Sequence, residues 1–279
     1  YEISCSLVGS EMCIRDSERG DKLRYSHSSV DCFEKCKRKF KMRYLQGMTT
    51  IPATEPDNPL ILGQTVHTGI EKSLKEAIRE YCFSFPIIAD EHINEIIKFE
   101  TVIPLARAAI PPGGQFEVEI KDDDFHGFID YLVPARTEQR LNGENQEIPD
   151  VFDLYDFKYS NNVSGYKQSG QLHEYKYFFE RNNPGKKIRN MYFVFIPKVT
   201  IRQKKTETLL EFRERLKEAL SGVEVKTVQI GFNPEKVIEF LFGIKAVNEE
   251  TEFPQEKSYL CRYCEFQEYC EKGNDYMIK

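Results

Sequence analysis

No run of about 18 apolar residues occurs in the chain, so no segment is expected to cross a membrane as a helix. The start of the chain lacks a basic stretch followed by an apolar core, which argues against a secretory leader and for a cytoplasmic protein. Internal repeats and low-complexity segments are also missing. Positive charge is in deficit: 39 Lys and Arg stand against 45 Asp and Glu, for a net charge of −6 over 279 residues. That excludes a simple cationic coat for nucleic acid. It leaves open an enzyme acting on nucleic acid, which needs acidic metal ligands and only a local basic surface. Basic runs do occur at 35–43, 186–189 and 202–205, and each by itself reads as a solvated face.

Cysteine is not scarce. Eight are present, and three of them fall in "SYLCRYCEFQEYC" at 258–270. In a chain without secretory features, clustered cysteines point to metal or redox chemistry before disulfides. Cys261, Cys264 and Cys270 are one thiolate short of a four-thiolate site. The first 17 residues, "YEISCSLVGSEMCIRDS", show no helical or strand period and resemble translated sequencing-adapter read-through. We leave them, with Cys5 and Cys13, out of the fold reading. The remaining candidates for a fourth ligand are then Cys32, Cys36 and Cys82.

From Ser26 the pattern becomes regular. "SHSSVDCFEKCKRKFKMRYLQG" (26–47) offers N-cap serines, apolar residues at near-helical spacing and a terminating glycine. "LGQTVHTGIEKSLKEAIREYC" (62–82) reads as one helix burying Val66, Ile70, Leu74 and Ile78. A third helix is expected over 91–109, broken at Pro104 and ended by "PPGG". The period then changes to two: "FEVEI" (116–120), "FHGFIDYLV" (125–133) and "VFDLYDFKY" (151–159) read as strands, with 134–150 as a long hairpin loop. A helix at 166–181, a strand at 190–199 and helices at 206–220 and 233–247 complete the series. Helices, three strands, a helix, a strand and more helices predict a mixed sheet flanked by helices, in the α/β or α+β class. Residues 18–279 are expected to form a single domain.

Chemistry concentrates in the middle strands. Asp156 and Lys158 are two apart and share a strand face. With Asp130 they offer two hard oxygen donors and an ammonium, which suits phosphodiester hydrolysis assisted by Mg2+ or Mn2+. A lone D-x-K triplet is common by chance, and a lone His67 is usually a packed or capping residue. The ordered set is more specific: G-x-x-x-H from Gly63 to His67, G-x-x-D from Gly127 to Asp130, D-x-K from Asp156 to Lys158, and Q-x-x-x-Y from Gln171 to Tyr175. The last pair lies four apart on an expected helix and shares a face.

This set resembles the RecB-like branch of the PD-(D/E)XK nuclease superfamily, with its restriction-endonuclease-like sheet. The resemblance spans roughly 26–272 and implies roles for particular residues. His67, Asp130, Asp156 and the backbone carbonyl of Phe157 would hold the divalent metal. Lys158 would be catalytic, and Gln171 and Tyr175 would support the site and contact DNA. Members with an iron–sulfur cluster carry one cysteine before the nuclease core and C-x-x-C-x5-C after it, which Cys261, Cys264 and Cys270 match. Cys32 and Cys36 lie four apart on one expected helix, so periodicity does not separate them; the basic and aromatic run "CKRKF" makes Cys36 the better match to the family. Cys32 and Cys82 then read as buried free thiols. The resemblance favours a [4Fe–4S] cluster over zinc, and places 18–60 and 250–279 together as the cluster region.

The implied activity is a metal-dependent DNA exonuclease acting on single-stranded DNA or DNA ends. The setting would be a bacterial, archaeal or phage-infected cell, with helicase, recombination or CRISPR-adaptation proteins as candidate partners. Two other readings stay open at this level: RNA as the substrate, and a non-catalytic DNA-binding or assembly subunit that keeps the fold. The intact His67, Asp130, Asp156 and Lys158 argue against the latter.

Overall fold

The computed structural model describes residues 24–50, 55–135, 138–139, 145–146 and 150–272. The expected read-through segment 1–17 lies outside the described residues, as do most of the 134–150 connection and the last seven residues of the cluster region. The elements run α1 His27–Lys35, α2 Lys37–Phe40, a π-helical turn Lys41–Leu45, α3 Pro59–Glu71, α4 Leu74–Phe83, α5 Asp90–Ala108, β1 Gln115–Lys121 and β2 His126–Pro134. A two-rung ribbon follows, β3 Glu138–Gln139 and β4 Asn145–Gln146. Then come β5 Val151–Tyr159, α6 Val163–Lys167, α7 Gln171–Asn182, β6 Lys187–Ile196, α8 Leu209–Ser221, β7 Lys226–Ile230 and α9 Pro234–Glu249. A 3₁₀ turn, Tyr259–Tyr263, and α10 Gln267–Lys272 close the described chain.

Five strands form one mixed sheet in the order β1-β2-β5-β6-β7. The β5–β6 pair is parallel and the others antiparallel, with α6 and α7 making the crossover between the parallel strands. Helices cover both faces, as the change of period along the sequence predicts. Alternation along β6 sorts its side chains: Met191, Phe193 and Phe195 enter one core with Val30, Phe33 and Phe40 and with Leu172 and Phe178 of α7. Val194 and Ile196 enter the other with Val66 and Ile70 of α3, Phe99 and Ile103 of α5, and Leu216 of α8.

Four expectations are corrected. The helix expected over 62–82 is two helices, because Ser73 turns to extended backbone and its hydroxyl accepts the Glu76 N–H as an N-cap. The buried stripe accordingly passes from Val66 and Ile70 to Ala77 and Tyr81. α5 runs through Pro104 rather than breaking there. A proline inside a helix costs about 3 kcal/mol, and the fully buried Phe99, Ile103 and Ala106 around it outweigh one lost backbone bond. The 26–47 helix is interrupted at Cys36, whose φ of −165° and ψ of 107° are extended. Finally, β7 was missing from the expected strands: "KTVQI" is an edge strand that tucks only Val228 and Ile230 against the core, too short an alternation to stand out.

Candidate active site

The site sits where the sheet forks. β2 and β5 are paired from Pro134↔Phe152 to Tyr131↔Tyr155, and the ladder stops at the next rung, which holds Asp130 and Asp156. In place of a ladder bond, the Phe157 N–H donates to Asp130 Oδ2 at 2.7 Å. His67, on α3, donates from Nε2 to the Phe157 carbonyl at 3.0 Å. A carbonyl only accepts, so Nε2 carries that proton and Nδ1 is the ring nitrogen turned to the acids, 3.7 Å from Asp130 Oδ2. Both backbone groups of Phe157 are thus engaged by site side chains.

Asp156 and Lys158 share a strand face as the D-x-K spacing implies, and they form an ion pair at 2.7 Å. Asp156 is 1% exposed, and neither of its carboxylate oxygens makes a hydrogen bond of good geometry. Burial raises its pKa against the pull of Lys158, and the nearby Asp130 charge raises it further. Burial works against charge on Lys158 too, yet the carboxylates of Asp156 and Asp130 outweigh it and hold the ammonium well above its usual range. Its Nζ also lies over the Tyr166 ring, 5.3 Å from the centroid. Lys158 therefore stays charged at neutral pH.

Lys158 opens into a cavity of about 730 Å³ bounded by α1, α7 and α9. Gln171 lines the same cavity and donates from Nε2 to the Tyr175 hydroxyl at 3.0 Å, as their helical spacing suggests. Gly127 makes room for that helix: a Cβ there would stand 3.1 Å from the Tyr175 ring. Three further residues of this wall carried no sequence signal. His27 Nδ1 lies 2.9 Å from the buried Glu174 carboxylate, and its Nε2 lies 3.1 Å from Ser169 Oγ. They are 147 and 142 positions apart, so only the fold joins them.

Glu117 was also missed. It sits on β1 between the rungs Phe116↔Tyr131 and Val118↔Ile129, which puts it opposite Asp130. His67, Glu117 and Asp130 are the group of described histidine, cysteine and acidic residues whose ligand atoms all lie within 4.8 Å of one another. Burial, then the Asp130 carboxylate, pushes the Glu117 carboxyl up to about 7, with His67 pulling the other way. The acidic alternation of "FEVEI" was visible, but the register that aims one acid at Asp130 was not. As a donor set, an imidazole with hard carboxylates fits Mn2+ or Mg2+, and the unbonded Oδ1 of buried Asp156 fits a nearby cation.

A second convergence lies away from the fork. Cys36, Cys261, Cys264 and Cys270 line one small cavity with Lys39 and Met42. The extended backbone at Cys36 turns its thiol out of α1, while Cys32, one turn earlier, packs against the core. Burial pushes the Cys32 thiol up to about 11, so it remains protonated. Burial also raises Cys270, whose surroundings include Cys36, Cys261 and Cys264.

A family model of the PD-(D/E)XK nuclease superfamily matches residues 24–271. The chain belongs to that superfamily. Among solved structures, a "putative exonuclease" from Eubacterium rectale resembles it at 15% identity over 86% of this chain and 87% of that one, with a TM-score of 0.49. No curated protein matches this superfamily member in sequence. No described helix of it is long and apolar enough to cross a membrane.

Proposed function

We propose that this nuclease-superfamily member is a Mg2+- or Mn2+-dependent DNA exonuclease of the RecB-like branch. Single-stranded DNA or a fraying DNA end is its substrate, and a [4Fe–4S] cluster its structural staple. The carrying observation is the meeting of Asp130, Asp156, His67 and Lys158 at the fork between β2 and β5, beside an open cavity. The residues that would hold the divalent cation are His67, Asp130, Asp156 and the second lone pair of the Phe157 carbonyl. When bound, that ion neutralises phosphate charge and lowers the pKa of an attacking water.

The protein's own groups do the rest. Lys158, kept charged by Asp156, stands where its Nζ–H groups donate to a phosphate oxygen gaining negative charge in the transition state. Asp130, fixed by the Phe157 N–H, and His67, fixed by the Phe157 carbonyl, enter the reaction already oriented. Gln171 and Tyr175 brace the cavity wall beside Lys158 and offer polar contacts to the DNA backbone. Lysine and arginine contacts to phosphate, with no base readout, give affinity without sequence preference.

The convergence of Cys36 with the three C-terminal cysteines supports the cluster. The Ser258 N–H donates to Cys261 Sγ at 3.5 Å, an orientation that suits a metal-bound thiolate. The setting is a reducing cytoplasm, where clustered cysteines serve as metal ligands and helicase, recombination or CRISPR-adaptation proteins would be the partners.

The test is digestion of end-labelled single-stranded DNA, with an RNA strand of the same sequence in parallel, by protein purified without oxygen and supplied with Mn2+ or Mg2+. Wild type is expected to shorten the DNA from an end, and Lys158→Ala to lose at least about 100-fold in rate. No cleavage by wild type, or equal cleavage by Lys158→Ala, overturns the nuclease reading. A colourless protein carrying stoichiometric zinc overturns the cluster.

A further inference from the structure

Glu117 is held in an unusual way for a strand residue. Its φ is 50°, in the left-handed region that a residue with a Cβ rarely enters. Such a backbone costs on the order of 1–3 kcal/mol and persists only where the surroundings impose it. Its effect on β1 is visible in the neighbours. Phe116 packs into the core with α3 and α5, whereas Val118 packs into the core with α7. Residues two apart in a regular strand share a face, so the strand reverses its faces at Glu117. β2 does the same on the opposite rung: Ile129 belongs to one core and Tyr131 to the other, with Asp130 between them. Both strands turn over at the rung where their two acids meet.

That placement is electrostatically unfavourable for the protein alone. Like charges directly opposite one another destabilise a sheet. Around the rung the carboxylates of Glu117, Asp130, Asp156 and Glu71 stand against the ammonium groups of Lys158 and Lys72 and the His67 imidazole, and Lys72 is itself paired with Glu80. Lys158 is taken by Asp156, and His67 already donates to the Phe157 carbonyl. No described hydrogen bond or ion pair engages the Glu117 carboxylate, although its neighbour two residues on, Glu119, pairs with His126. A separate observation points the same way. Asp156, 1% exposed, pairs with Lys158 through Oδ2 and leaves Oδ1 without a hydrogen bond, while lying close enough to Asp130 and His67 to feel their charges.

We propose that Glu117 is a direct cation ligand, so that His67, Glu117 and Asp130 form a seat for a divalent ion at the rung where β1 and β2 turn over. One nitrogen and two carboxylates suit Mn2+ better than Mg2+, which prefers an all-oxygen shell. The proposal rests on the nuclease reading for the presence of a cation at the fork. It adds a ligand from β1 that none of the D-x-K, G-x-x-D or G-x-x-x-H motifs contains.

The experiment measures Mn2+ binding by calorimetry on cluster-loaded protein, and the Mn2+-induced rise in Tm, without reference to cleavage. Glu117→Gln is expected to weaken Mn2+ binding by at least roughly tenfold and to shrink the Tm rise, with the metal-free Tm unchanged or higher. Glu117→Gly suits the φ of 50° and serves as the second variant: it should fold without metal and bind Mn2+ as weakly as Glu117→Gln. Glu119→Gln, outside the seat, should bind like wild type. Wild-type Mn2+ affinity in either Glu117 variant overturns the proposal. So does a loss of binding matched by a fall in the metal-free Tm of both Glu117 variants, which would assign the residue a structural role. A wild type that binds Mn2+ through Glu117 yet cleaves no nucleic acid would sink the nuclease reading and leave the ligand assignment standing.

Discussion

At the scale of single residues, the pair Asp156–Lys158 carries two opposed consequences. The carboxylate is buried and the ammonium nearly so, with side-chain exposures of 1% and 16%. Breaking a buried pair from one side costs about 3–5 kcal/mol, because it strands a charge, and the stranded group relieves part of that by taking up a proton. Lys158→Met should therefore destabilise the protein, while the double variant Asp156→Asn with Lys158→Met recovers most of the loss. Urea unfolding of the three proteins checks this, and a double variant no more stable than Lys158→Met alone would refute it. Neither variant should cleave DNA, so stability and activity separate at this pair. The sequence showed which residues form it and that they share a face. It did not show that the pair is buried, since that depends on distant segments, α1 and α7 among them, that wall the cavity beside Lys158.

At the scale of elements, the seat for His67 depends on how closely α3 approaches α5. Gly69, two residues after His67 on α3, is where they touch. A Cβ there would stand 2.4 Å from Ile103 Cδ1 and 2.9 Å from both Cγ atoms of the same side chain. Exchanging glycine for alanine inside a helix normally stabilises by about 1 kcal/mol, but overpacking a filled core costs about 1–3 kcal/mol. The second effect wins here because the clash reaches the branched carbons near the Ile103 backbone as well as its flexible tip. Gly69→Ala should lower stability, and Ile103→Ala, which opens a cavity in wild type, should cost less in the Gly69→Ala background than alone; additive losses in thermal or urea unfolding would show that the two sites are not in contact. The same region shows why helix limits were harder to read than helix existence. Ser73 and Glu76 carry the S-x-x-E signature of a helix start, yet the apolar spacing of Val66, Ile70, Leu74 and Ile78 runs straight across it. Periodicity cannot tell one helix from two whose faces stay in phase.

At the scale of the whole molecule, the two ends of the described chain are tied together on one side of the sheet. Phe253 stacks on Phe40 and meets Phe33 edge-on, the Arg38 N–H donates to the Pro254 carbonyl at 3.2 Å, and Lys37 pairs with Glu250 at 2.5 Å. Lys39 and Arg43 reach Glu265 between the second and third C-terminal cysteines. Exposed ion pairs of this kind are worth little, so a metal held by Cys36, Cys261, Cys264 and Cys270 would be the strong part of the tie. With the proposed cluster in place, Cys36→Ser should lose iron and lower Tm by several degrees, whereas Cys32→Ser should keep its iron. Iron content and melting curves decide it, and retention of iron by Cys36→Ser with loss by Cys32→Ser would reverse the assignment of the fourth ligand.

The sequence by itself determined the kinds of donor present, their order along the chain and the elements that carry them. The helix–strand series, the D-x-K pair on one strand face and the Q-x-x-x-Y pair on one helix face all follow from spacing of four residues or fewer, which local geometry dictates. Three matters were left to the tertiary structure. The extended backbone at Cys36 turned one of two equivalent cysteines toward the C-terminal three. The β1–β2 register brought Glu117 opposite Asp130. The packing of α1 and α7 on α9 joined His27 to Glu174 across 147 positions. Each depends on contacts between segments far apart in the chain, and a period of 2 or 3.6 residues carries no information about which distant rung, or which of two thiols on one helix, will face the other.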